Sequence, residues 1–199
     1  MKRRLSIKIR VSFFALLMLI ALILSGAGIS LAALVAATIH ELGHILVAKI
    51  LNTDLGELKL GIFGASLYIE SSMTSYKNEM AIAFGGPLAN LLCALLTSRF
   101  YSGDNVFLQG FFICSIFLAF LNLLPIIDLD GGRILLCLLS LIVPCYTALK
   151  ILKICSLIIV FSLWCLSVYL LLRLGASLSL FIFSSALFCK IFIKSNTAN

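Results

Sequence analysis

Six apolar runs of membrane-spanning length leave this chain few ways to fold. They lie at about 11–30, 31–51, 79–98, 106–127, 150–172 and 175–193, with a shorter apolar piece at 134–146. Roughly 20 apolar residues cross a bilayer as a helix. Lipid offers the backbone no hydrogen-bond partners, so a segment buried there must satisfy its own N–H and C=O groups. The chain of 199 residues is 62% hydrophobic and 12% charged, with a mean hydropathy of +1.20. A soluble domain is about 45–50% apolar and about 25% charged, so a water-exposed globule is excluded. The expected fold is an all-α polytopic membrane protein with about six transmembrane helices. The first run has an alternative reading as a signal peptide, because Lys2, Arg3 and Arg4 precede it and Ser25-Gly26-Ala27-Gly28 resembles a cleavage site.

Charge sets the expected orientation. With the N-terminus in the cytoplasm, only Arg99 and Arg173 of the 15 Lys and Arg residues fall outside, a strong positive-inside bias. Topology thus accounts for the formal charge of +7, and no nucleic-acid partner is needed. The basic N-terminus suits anionic lipid headgroups. The seven cysteines are scattered through apolar segments without a Cys-x-x-Cys pair and read as small buried hydrophobes. Between the second and third runs, Glu57–Ile62 and Ser66–Glu70 alternate apolar and polar residues around a Gly-Ala break. That pattern predicts a small cytoplasmic-side β-hairpin, either a plain connection or an edge able to pair with an extended substrate.

Within the second run stands His40-Glu41-Leu42-Gly43-His44, which holds the only two histidines of the chain. Four residues apart on a helix, both imidazoles share a face and can bind one metal ion, while Glu41 is offset toward a metal-bound water. Ionisable side chains inside a membrane segment mark function, since something must compensate their desolvation. Catalytic zinc takes three protein ligands, so an acidic third is expected. Asp54, Glu57, Glu70, Glu79 and Asp104 lie in polar loops or at span edges. Asp128 and Asp130 instead follow Asn122-Leu123-Leu124-Pro125, where Pro125 and Gly131-Gly132 predict a broken span near its cytoplasmic end. The second and fourth runs point the same way, which predicts similar depth for the histidines and this acidic pair. Gly85-Gly86-Pro87-Leu88-Ala89-Asn90 in the third run predicts close helix approach. Asn90 and Asn122 read either as interhelical hydrogen-bond partners or as holders of the substrate backbone or oxyanion.

These three motifs, in this order and each on an apolar run, resemble the site-2 protease family of intramembrane zinc metalloproteases. The likeness covers about 30–135. Its six-span layout is similar to the bacterial branch of stage IV sporulation protein FB-like members, which cut a membrane-associated sigma-factor precursor. The resemblance implies one Zn2+ per chain held by His40, His44 and Asp130, with Glu41 as catalytic base and Asn122 and Asn90 near the substrate. It also implies a three-helix catalytic core and a bacterial cell membrane as location. Asp128 stands where the family pattern calls for an uncharged residue; it is open to tuning the site, pairing with Arg133 or competing as ligand. The expected organisation is an N-terminal transmembrane helix over 1–30, a metalloprotease core over 31–135 and C-terminal transmembrane helices over 136–199, with no soluble accessory domain. Expected partners are a membrane-associated protein substrate, the lipid bilayer and a membrane regulatory partner. The rival reading is a membrane metal transporter or metal-binding protein using the same His/Asp set, which has no specific use for Glu41.

Overall fold

The structure is a computed structural model that describes residues 9–11, 28–53, 55–61, 64–69, 75–100, 105–127 and 129–174, with positions 181, 184, 185 and 188. Most of the first and last expected spans, and Asp128, lie outside the described residues. The chain divides into two compact units, residues 1–123 and 124–199.

Among its described residues the first unit contains three helices: α1 (Gly28–Ile50), α2 (Tyr76–Ser98) and α3 (Val106–Asn122). Each packs against the other two. At ~1.5 Å per residue, the 23-residue α1 and α2 are about 35 Å long, enough to cross a bilayer. The buried residues of α1 are Ala32, Ala36, His40, Gly43, His44 and Ala48, spaced by threes and fours along one face. Leu31, Leu42, Leu46 and Ile50 stand exposed on the other side, as a lipid-facing surface requires. Between helices in lipid, close van der Waals packing replaces the hydrophobic drive, and small residues permit it. Gly43 and Gly85 show the consequence. A Cβ on Gly43 would collide with the Gly85 carbonyl oxygen, and a Cβ on Gly85 would lie 2.8 Å from the Gly43 oxygen. Neither position tolerates a side chain without the helices moving apart.

Direction follows from the contacts. Gly28 faces Phe107 and Gly110 faces Ala32, so α1 and α3 run parallel. Ala48 packs with Ile82 while His40 meets Asn90, so α2 runs antiparallel to α1. The Asn105 side chain starts α3 by accepting from the N–H groups of Phe107 and Leu108 at 3.0 and 3.2 Å. In the polar interval between α1 and α2, β2 (Leu55–Gly61) and β3 (Gly64–Ile69) pair antiparallel. A short β1 (Ile9–Val11) pairs parallel with β2, an addition that the sequence pattern does not announce.

The fourth expected span, 106–127, is helical only to Asn122, 17 residues or about 26 Å. Apolar residues continue through Ile127, but Pro125 has no N–H to donate and the backbone turns. The second unit begins at this break and continues through α4 (Asp130–Ser140) and α5 (Cys145–Leu174), which pack together. The expected apolar piece at 134–146 is the body of α4, and the chain turns between Ser140 and Pro144 before α5 begins. Among the described residues, α1, α2 and α5 are long and apolar enough to cross a membrane, and α3 is a shorter apolar helix. The architecture is that of a helical membrane protein.

Candidate metal centre

On α1, His40 and His44 are 4% and 3% exposed, one turn apart on the buried face. Their rings lie nearly perpendicular at 87°, and the two Nε2 atoms converge to 3.2 Å. Two nitrogens bound at 2.0–2.1 Å to a tetrahedral zinc would be separated by ~3.3 Å, so the spacing fits that ion.

The far nitrogens of both rings are held by α2. Nδ1 of His44 lies 2.8 Å from the carbonyl oxygen of Ile82. A carbonyl can only accept, so the proton of the neutral ring sits on Nδ1 and the lone pair on Nε2. The Gly86 nitrogen is 3.3 Å from the same Nδ1. With the proton there, it is a close neighbour and does not donate to the ring. On His40, Nδ1 lies 3.3 Å from the Asn90 amide nitrogen, and Asn90 is fully buried. Its Oδ1 is buried with no hydrogen-bond partner among the described residues. Turning that carboxamide over presents Oδ1 to Nδ1, which then carries the proton and leaves Nε2 free as on His44.

Space for the rings comes from Gly86. A Cβ there would overlap His44 Nε2 and would come within 2.6 Å of His44 Cε1 and 2.9 Å of His40 Cε1. The neighbouring glycines of the motif serve two purposes, Gly85 against the α1 backbone and Gly86 against the imidazoles. Sequence reasoning found the motif as a helix contact but missed Gly86 and Ile82 as parts of the site. Their signal was the four-residue step from Ile82 to Gly86, one turn that spans the height of a ring.

Glu41 is half-buried beside the histidines on α1. Asn122 ends α3, where its amide nitrogen donates to Leu118 O at 3.0 Å. Asp130 opens α4 in the second unit and is 8% exposed. The structure thus brings His40, His44 and Asn90 together in the first unit, places Asn122 at that unit's last helical residue and Asp130 at the first turn beyond the break. The six described cysteines form no disulfide.

Residues 98–166 match the family model "Peptidase family M50", a stretch that contains Asn122 and Asp130. The chain is 30% identical over 115 residues to stage IV sporulation protein FB of Bacillus subtilis (strain 168), covering 56% of this chain and 40% of that protein. It is 29% identical over 112 residues to zinc metalloprotease MJ0392 of Methanocaldococcus jannaschii, covering 53% and 32%. A solved structure of the site-2 protease from Methanocaldococcus jannaschii superposes with a TM-score of 0.70 at 21% identity, over 98% of this chain and 94% of that one. The chain shares the fold of that site-2 protease. As aligned, it spans less than half the length of either curated relative. The matched M50 stretch runs through the break and into α5, and the paired imidazoles stand outside it, on α1.

Proposed function

We propose that the chain is an intramembrane zinc metallopeptidase that hydrolyses a peptide bond of a membrane-associated regulatory protein near the cytoplasmic face. The observation that carries this reading is the pair of buried imidazoles, with Nε2 atoms 3.2 Å apart. His40, His44 and Asp130 would hold the ion; each is buried and offers one ligand atom. When bound, zinc supplies a Lewis acid that polarises the scissile carbonyl and makes water a nucleophile near neutral pH. Ile82 fixes the ring proton of His44 through its carbonyl oxygen. Asn90, with Oδ1 turned to His40 Nδ1, does the same for the other ring. Glu41 removes a proton from the attacking water and delivers it to the leaving amine. Asn122 keeps donor and acceptor capacity beyond its bond to Leu118, enough to hold an extended substrate backbone.

Six spans, a cytoplasmic N-terminus and a bacterial cell membrane complete the proposed topology, with the core at 31–135. A membrane-tethered sigma-factor precursor is the proposed substrate type, by analogy with the sporulation branch, and a membrane protein partner is the proposed regulator. Glu41→Gln tests the chemistry. The variant should retain zinc at the parental stoichiometry while releasing no soluble fragment from a co-expressed membrane-tethered substrate. Parental cleavage by that variant would sink the reading.

A further inference from the structure

The backbone between α3 and α4 leaves regular structure at Leu123 and re-enters it at Asp130. Irregular backbone at membrane depth persists only where protein or a wet cavity satisfies it. Part of this segment satisfies itself. Ile126 N–H donates to Leu124 O at 2.7 Å and Leu129 N–H to Ile126 O at 2.9 Å, while Gly132 and Arg133 both donate to Leu129 O, at 3.1 and 3.2 Å. Ile127 is different. Its N–H donates to the side-chain oxygen of Ser156 on α5, at 3.0 Å. The Ser156 hydroxyl donates in turn to Leu152 O at 2.7 Å, and Pro125 O lies 3.4 Å away. Ser156 is fully buried. One hydroxyl on the 30-residue α5 therefore anchors the turn from which Asp130 emerges three residues later.

We propose that Ser156 is a positioning residue for Asp130, fixing the height and direction at which its carboxylate is presented to the metal. This rests on the reading of Asp130 as a zinc ligand. Removing the hydroxyl takes the acceptor from the N–H of half-buried Ile127, and the segment must shift to find another. The first turn of α4 shifts with it, because Leu129 and Ile126 link the two. Ligand-orienting groups beyond the metal's own ligands commonly control affinity by about 10–100-fold, and a residue acting through a backbone turn belongs near the lower end, ~10-fold.

The test measures zinc affinity of the purified full chain by competition with a chromogenic chelator, for the parent, Ser156→Ala, Ser156→Thr, Asp130→Ala and the Ser156→Ala/Asp130→Ala pair. Ser156→Ala should weaken zinc binding about tenfold, Ser156→Thr should restore it, and the double variant should bind no more weakly than Asp130→Ala alone. Zinc binding untouched by Asp130→Ala would remove the ligand reading and this proposal with it. Loss in Asp130→Ala with parental affinity in Ser156→Ala would overturn the proposal alone, as would full additivity in the double variant. Hydrogen exchange of the parent needs no variant: the Ile127 amide should be protected like a helical amide, and fast exchange there would equally overturn the anchor.

Discussion

Nδ1 of His44 donates to the carbonyl oxygen of Ile82 across 2.8 Å, a bond between the histidine-bearing helix and a backbone group of its neighbour. Because the partner is a main-chain carbonyl, no side-chain substitution on α2 deletes it. It fixes the tautomer, the ring plane and the separation of α1 from α2 together. Ile82 and Gly86 are one helical turn apart, and the ring occupies the height between them. The geometry of the site is consequently a property of how two helices pack, and small changes at their contact should reach the metal.

Gly86→Ala is the most direct case. The added methyl would meet His44 Cε1 at 2.6 Å and His40 Cε1 at 2.9 Å, so at least one ring must leave its place. Overpacking of a tight site costs about 1–3 kcal/mol, and misdirected imidazoles lose metal affinity by about 10–100-fold. Zinc competition should report a loss in that range, with helix content by circular dichroism unchanged. Leu88→Ala, on the exposed side of the same helix, should bind zinc like the parent.

Asn90 separates two roles that an amide can play. If it orients His40, Asn90→Ala should weaken zinc binding by about 10–100-fold, and Asn90→Asp, which keeps an acceptor, should lose much less. A pure substrate contact would instead leave zinc affinity at the parental value and raise KM. Its burial and its 3.3 Å approach to Nδ1 favour the first outcome.

Much of this was legible in the residues. The i, i+4 spacing of His40 and His44 dictates a shared face whatever the surrounding fold, and the structure keeps it. The parallel course of α1 and α3 follows from counting spans between them. Hydropathy could not locate the end of α3, because Leu123–Ile127 is as apolar as the helix before it and only Pro125 hints that the backbone turns. Nor could it distinguish Gly85 from Gly86. Consecutive helix positions differ by ~100° in direction, and which neighbour each one faces depends on the rotation of α2. For Asn90, side-chain chemistry allowed a substrate or a histidine as partner, and only placement discriminates.

Gly43 and Gly85 touch each other's backbones, which makes their substitutions interdependent. Gly43→Ala or Gly85→Ala alone should destabilise the α1–α2 contact by about 1–3 kcal/mol, read as a lower unfolding midpoint in detergent. Once one methyl has forced the helices apart, the second meets less resistance. The double variant should therefore lose clearly less than the sum, with a coupling of about 0.5–3 kcal/mol typical of contacting residues. Strict additivity would mean that the helices do not meet at this point.

Metal binding should itself stabilise the folded chain. A ligand that binds only the folded state at about 100 times its Kd adds about 2.7 kcal/mol. Titrating zinc into chelator-treated protein should raise the midpoint by that equivalent in the parent. Glu41→Gln should show the same gain, because Glu41 is assigned to the water and not to the ion. His40→Ala and His44→Ala should show none at the same zinc concentration, since each removes one of the two nitrogens whose 3.2 Å separation suits the ion. A variant lacking either imidazole that still gained the full increment would place the ion elsewhere in the chain.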